Sequence, residues 1–280
     1  VNSNCAILTV NSPITITSQP SASTLCAGGQ TTFTVGASGS NPTYQWQEST
    51  DNGASWNNIN NGGVYSGAAT SVLTLTNVTA VMSGNQYRAV VTGTAVCGIP
   101  INSGAGLLTV NTAPAITTQP VASTTLCAGN NTTYTVVANG TALTYQWQLS
   151  TTGAGGPWTD ISNTGVYSGS ATASLTITGV VVGMDTYQYR AVVSGTCTPP
   201  AISNAAVLTV NTPISITTQP VLTINVCATG SASFTTIAGG TSPSYQWQVS
   251  SNGGTSWANV ANGGVYAGAS STTLMISNIT

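Results

Sequence analysis

Tyr44-Gln45-Trp46-Gln47 returns as Tyr145-Gln146-Trp147-Gln148 and again as Tyr245-Gln246-Trp247-Gln248. Working outward, Ile16-Thr-Ser-Gln-Pro20 becomes Ile116-Thr-Thr-Gln-Pro120 and Ile216-Thr-Thr-Gln-Pro220. Cys26 becomes Cys127 and Cys227, Trp56 becomes Trp158 and Trp257, and Tyr65 becomes Tyr167 and Tyr266. A period of about a hundred residues is the size of a whole domain rather than of a solenoid unit. The register divides the chain into residues 1–11, which match the last strand of a preceding repeat, then repeats at 12–111 and 112–211, then a third at 212–280. The third stops before any counterpart of its last two strands, so the sequence reads as a window on a longer array.

Each repeat alternates short apolar runs with turns rich in Gly, Asn, Pro and Ser, and no window carries a helical period. In the first repeat the alternation predicts strands A at 14–18, A′ around 24–26, B at 31–37 and C at 43–47. Strands C′ at 56–59, E at 72–75, F at 86–91 and G at 106–110 complete it. Asp51-Asn52-Gly53 is a hairpin turn, its glycine suited to positive φ. Seven or so strands in a hundred residues, with a Trp on strand C, predict an all-β fold of tandem immunoglobulin-like β-sandwich domains. Trp46, Trp147 and Trp247 are expected in the cores, with the flanking glutamines facing out. Tyr87 and Tyr189 sit where a tyrosine corner belongs, their hydroxyls expected on backbone at the E–F turn.

The cysteines depart from the antibody pattern. The inter-sheet positions on B and F hold Val35 and Ala89, then Val136 and Ala191. Cys26 and Cys127 precede strand B, and Cys97 and Cys197 follow strand F. These turns lie at opposite ends of a sandwich whose strands span ~20 Å, whereas bridged Cα atoms lie ~5–6 Å apart. A very short linker, Asn111-Thr-Ala-Pro114, offers another solution: Cys26 of one repeat bonds Cys197 of the next, and Cys127 awaits an equivalent in the third repeat. Intradomain pairs, Cys26–Cys97 and Cys127–Cys197, and free thiols stand beside it. Cys227 is a further candidate, and Cys5 aligns with alanines. Any bridge implies an oxidising, extracellular setting.

Charged residues make up 2% of the chain, against ~25% in ordinary globular proteins. The cations are Arg88 and Arg190 alone, the acids Glu48, Asp51, Asp160 and Asp185, and the net charge is -2. Nothing here attracts a nucleic-acid backbone or an anionic lipid surface, and no run is long and apolar enough to insert in a membrane. The surface must be built from Ser, Thr, Asn, Gln and Gly, and its weak repulsion between copies tolerates lateral packing. Without histidine, a Ser-His-Asp triad and a His-bearing zinc site are excluded. The acids do not recur between repeats: Glu48 and Asp51 become Leu149 and Thr152, then Val249 and Asn252. No catalytic residue, cofactor or metal site is expected. Trp56, Trp158 and Trp257, with Arg88 and Arg190, are the candidates for surface contact.

The sequence resembles the immunoglobulin-like repeats of very large Bacteroidota surface proteins, of the gliding-motility adhesin (SprB) type. The resemblance is carried by Ile16–Pro20, Cys26–Gly28, Tyr44–Gln47, Gly53–Trp56, Val64–Gly67, Tyr87–Val91 and Leu108–Asn111. It implies export by type IX secretion and display as a cell-surface filament in which such repeats are stalk. The expected function is therefore a structural segment of an adhesin that bears mechanical load. Its expected partners are neighbouring repeats and other copies in a fibre. The competing readings are a carbohydrate-binding array, its Trp56-type residues stacking on surface glycans, and spacer domains of a secreted enzyme.

Overall fold

A computed structural model describes residues 4–94 and 98–279, so Cys97 lies outside the described residues. In the first repeat eleven strands form: β1 (Thr15–Ser18), β2 (Ser23–Cys26), β3 (Thr31–Thr34), β4 (Gly36–Ser38), β5 (Thr43–Ser49), β6 (Asn57–Asn58), β7 (Tyr65–Ser66), β8 (Val72–Leu75), β9 (Gln86–Thr92), β10 (Ile101–Asn102) and β11 (Gly106–Asn111). One sheet runs β2-β11-β9-β5-β6 with β10 beside β9, and the facing sheet runs β3-β8-β7. β1 pairs with β4. This is a β-sandwich of immunoglobulin-like order. The second repeat has the same order in both sheets. β2 lies parallel to β11, with Cys26 opposite Asn111, and Cys127 lies opposite Asn211 in the same way.

The alternation of side chains along each strand builds the core. Trp46, Tyr87, Ala89, Val91, Leu73, Leu75 and Leu108 are fully buried, as are Phe33 and Val35. Val35 and Ala89 thus fill with apolar atoms the place where an inter-sheet disulfide would stand, and Val136 and Ala191 do so in the second repeat. The Trp46 indole N–H donates to the Thr70 carbonyl at 2.8 Å, and that of Trp147 to Thr172 at 3.0 Å. A buried indole needs such an acceptor.

Residues 4–14 contain no strand. The partners of a last strand are β9 and β2 of its own repeat, and residues 1–11 hold no counterpart of either, so Ile7, Leu8 and Val10 are exposed. In the third repeat Ala232–Thr235, Thr273–Ile276 and Tyr266–Ala267 rebuild the smaller sheet. Only Gln248–Val249 of its strand C forms, paired with Ala258–Asn259. Residues 212–280 include no counterparts of β9 and β11, and Trp247 is partly buried against Val260, Ala269 and Leu274.

Contact density divides the chain into two units. The first holds residues up to 118, with 136–145 and 192–203, and thus joins the whole first repeat to one end of the second. The second holds 119–135, 146–191 and 204–280.

Candidate functional site: the junction between repeats

The recurring motifs of each repeat resolve into fasteners. The glutamine of Ile-Thr-x-Gln-Pro sits where Pro20 ends β1. Its Oε1 accepts from the Gly104 N–H at 2.6 Å, as Gln119 accepts from Asn204 at 2.8 Å, tying the first strand to the approach of the last. Within Tyr-Gln-Trp-Gln, the first glutamine donates from Nε2 to the Trp46 and Ile59 carbonyls at 2.9 and 2.8 Å, locking β5 to β6.

A hydroxyl holds each entry into a repeat. Ser40 Oγ accepts from the Ser12 N–H at 2.9 Å and the Ser40 N–H donates back to the Ser12 carbonyl at 3.1 Å. Thr141 does the same to Thr112 at 2.9 and 3.1 Å, and Thr241 to Thr212 at 2.8 and 3.0 Å. The preceding glycines, Gly39, Gly140 and Gly240, have φ of 127°, 144° and 114°. A Cβ on Gly39 would come within 2.7 Å of the Pro13 carbonyl oxygen, and one on Gly140 within 3.0 Å of Pro114 Cα. Glycine is required there both for its conformation and for the close approach of the linker.

At the junction inside the first unit, these fasteners converge on a disulfide. The Ala27 N–H donates to the Asn111 carbonyl at 2.9 Å, Thr141 holds Thr112, and the Thr141 carbonyl accepts from the Thr196 N–H at 3.0 Å. The next residue, Cys197, is bonded to Cys26 with Cα atoms 5.9 Å apart across a sequence separation of 171. Cys197 is buried and Cys26 half-buried. Since these two cysteines bond each other, neither intradomain pair forms. At the corresponding place in the second unit, the Ala128 N–H donates to the Asn211 carbonyl at 3.0 Å, so the same frame exists around Cys127. Cys5, Cys127 and Cys227 are exposed free thiols.

The two arginines are held identically. Arg88 Nε donates to Gln47 Oε1 at 2.9 Å and its guanidinium lies 4.2 Å from the Trp56 ring centroid. Arg190 repeats both contacts with Gln148 and Trp158 at 2.9 and 4.2 Å. Such a stack contributes ~0.5–1 kcal/mol at an exposed site. Gln47 in turn donates to Asn58 at 2.8 Å, and Gln148 to Asp160 at 2.8 Å. Trp56 and Trp158 are therefore partly buried and capped on one face. Trp257, in the third repeat, is 60% exposed.

The corner tyrosines do not bond backbone as expected. Tyr87 OH donates to Glu48 Oε1 at 2.9 Å, which also accepts from Tyr65 OH and Asn85 Nδ2 at 2.7 Å each. Tyr65 and Tyr87 hydroxyls lie 3.4 Å apart, and Tyr167 and Tyr189 hydroxyls 3.3 Å apart. β7 brings up a second phenol that satisfies the first, so the backbone is not needed. Burial pushes Tyr65 up to about 12, and holds Tyr87 and Tyr189 still further above the ordinary phenol range. Glu48 is Leu149 in the second repeat, where the tyrosine pair persists, so the carboxylate is an embellishment of one repeat. Asp51 likewise only organises its turn. It accepts from Ser49 Oγ at 2.7 Å and from the Ser55 N–H at 2.9 Å, and the Ser55 contacts above all hold its carboxyl down at about 2. Asn252 forms the equivalent turn uncharged, accepting from Ser250 Oγ and the Ser256 N–H at 2.9 Å each.

Sequence reasoning singled out the cysteines, the core tryptophans and the corner tyrosines. It missed Tyr65 and Tyr167 as structural partners, and it missed Thr141. The recurrence of Gly-Ser or Gly-Thr four residues before each Tyr-Gln-Trp-Gln was the available signal for the latter. No group of three or more His, Cys, Asp or Glu side chains that could hold a metal occurs among the described residues.

A family model described as "Domain of unknown function (DUF8696)" matches residues 14–112 and again 117–212. No curated protein matches by sequence. Among solved structures, the chain is similar to the "I-band fragment I67-I69 from titin", with a TM-score of 0.65, 19% identity, and coverage of 96% of this chain and 89% of that one. It is also similar to "Rst D1-D2", with a TM-score of 0.50, 14% identity, and coverage of 71% and 99%. At these identities the likeness concerns the fold: a tandem array of immunoglobulin-like domains.

Proposed function

Because the chain belongs to the family described as Domain of unknown function (DUF8696), whose description assigns no activity, we propose a role from its own chemistry: a non-enzymatic structural segment of an extracellular adhesive protein. The observation that carries this reading is the Cys26–Cys197 bond between successive repeats. A bond of this kind belongs to an oxidising compartment. It does not take the inter-sheet place in either core, which Val35 and Ala89 fill in the first and Val136 and Ala191 in the second. What it adds is a covalent tie between domains, which is useful where a chain is pulled. The nearly uncharged surface supports the same role, because little on it titrates or is screened by salt.

In its more specific form the reading is a stalk of a cell-surface gliding adhesin of the Bacteroidota type, exported by type IX secretion. Its support is the motif resemblance spread over the whole chain. The glycan-binding alternative draws no support from the first two repeats, where Arg88 and Arg190 occupy a face of the tryptophans that a sugar would stack on. Imaging of intact cells tests the proposal. Deleting residues 12–211 from the parent protein shortens a surface-projecting filament, and antibodies to the chain label unpermeabilised cells. A filament of unchanged length, or label only inside cells, overturns it.

A further inference from the structure

We propose that the Cys26–Cys197 bond diverts tension around the bodies of two repeats, so that the oxidised chain is a stretch-limited tether. The usefulness of such a tether rests on the mechanical role proposed above; the diversion itself rests on connectivity and strand geometry.

Without the bond, a pull entering from the amino-terminal side first strips β1 from β4, then loads β2 and leaves the repeat at the end of β11. β2 and β11 are parallel, with Ser23 opposite Leu108 and Cys26 opposite Asn111. Pulled one toward its start and the other toward its end, they slide past each other, and the ladder between them carries the force in shear. The repeat then resists only as long as those hydrogen bonds hold. After failure its whole length is released, followed by that of the second repeat.

With the bond, force arriving along β2 reaches Cys26 and crosses to Cys197 instead. It then leaves through Ala201–Ile202 and the last strand of the second repeat, Ala206–Asn211. β2 is stretched end to end along its own axis, and the β2–β11 ladder no longer opposes the pull. Everything between the two cysteines hangs outside the path. That segment includes Trp46, Tyr87, Trp147, Leu175 and Tyr189, the main buried side chains of both sandwiches. The Thr141 fastener holds Thr112 and Thr196 at the same point, so the bond closes on a junction already ordered by hydrogen bonds.

The length withheld follows from the separation of 171 residues. At ~3.3–3.6 Å per extended residue, this is about 600 Å, replaced by one bridge of 5.9 Å between Cα atoms.

Single-molecule stretching of the full chain, held at its two ends, reads this directly. The oxidised protein is expected to release about 600 Å less contour length than Cys197→Ser or Cys26→Ser, while Cys97→Ser stays as short as the parent. Wild-type chain in a dithiol reductant gives the long release without any substitution: the bridge takes two electrons and two protons to become two thiols, and the reductant leaves as its cyclic disulfide. Equal release from oxidised parent and Cys197→Ser overturns the proposal. So does a lengthened Cys97→Ser, or a Cys26–Cys97 peptide in a non-reduced digest. None of these outcomes depends on where the parent protein is displayed, so failure here is distinguishable from failure of the surface-stalk reading.

Discussion

Replacing Trp46 measures how far each sandwich depends on one indole now that no inter-sheet disulfide crosses it. Trp46 is completely buried, packs in a cluster with Phe33, Leu73, Tyr87 and Ala89, and donates to Thr70 at 2.8 Å. Trp46→Ala removes the ring and leaves a cavity, a change that typically costs about 3–5 kcal/mol. The Thr70 carbonyl also loses its donor, though near the surface water can replace part of that loss. A domain of this size is stable by only ~5–15 kcal/mol, so the first repeat should lose roughly a fifth or more of its margin. At ~4–8 °C per kcal/mol for a 100-residue domain, its melting transition falls by roughly 12–40 °C. The second repeat keeps Trp147 and its own Thr172 acceptor, so its transition should stay in place. Calorimetry of the variant then shows one shifted and one unshifted transition. Trp46→Phe serves as the graded control, since it keeps an aromatic ring but loses the indole donor. A shift of a few degrees or less for Trp46→Ala, or an equal shift of both transitions, would refute the view that each tryptophan anchors its own sandwich.

Alkaline stability should report the tyrosine pairs. Tyr65 is raised from 10.0 to about 12, first of all by burial. Its contribution is therefore fully present below pH 10 and lost as pH rises through about 12; circular dichroism and tyrosinate absorbance should change together in that window. Asp51 works in the opposite sense. Its folded value is lowered from 3.8 to about 2 by Ser55 and Ser49, so the turn is stabilised above pH 3.8 and loses that support as pH falls through 2. Asp51→Asn, which copies Asn252, should flatten the acid limb of a urea midpoint measured against pH. Thr141→Val removes the hydroxyl that accepts from Thr112 at 2.9 Å, a loss of about 1 kcal/mol. After reduction, its Cys26–Cys197 bond should re-form more slowly than in the parent, as followed by thiol titration, with the core transitions nearly unchanged.

Most of the fold could be read from the alternation around Tyr-Gln-Trp-Gln, because strands with one buried face write their period into the sequence. The E strand at Val72–Leu75 and the inward Trp46 follow from that pattern alone. β7 did not show itself, since two residues between glycine-rich turns are too few to display a period. Its absence from the sequence reading also misdirected the Tyr87 hydroxyl, whose partner is the phenol that β7 delivers. For the cysteines, sequence located them in turns at opposite ends of a sandwich but left open an interdomain bond, intradomain bonds and free thiols. Deciding between them required the position of residues 192–203 against the first repeat, a tertiary fact that loop sequence does not encode. The arginine stacks lie between these cases: the sequence marks Trp56 and Arg88 both as surface candidates, but nothing in it specifies that one lies on the other.

The hydroxyl fastener has a consequence for how such an array changes over generations. Ser12 with Ser40, Thr112 with Thr141, and Thr212 with Thr241 each lie within a single repeat. A unit thus carries its own joint, and unequal recombination can add or delete whole units without creating a mismatched seam. The disulfide obeys a different rule, because its two halves come from neighbouring units. A deletion that removes the unit bearing Cys197 leaves Cys26 bonded only if the unit that takes its place carries a cysteine at the same position. Changes in copy number are therefore neutral for the folding of each bead but selected at the level of pairs, which favours inheriting these units as cysteine-matched neighbours.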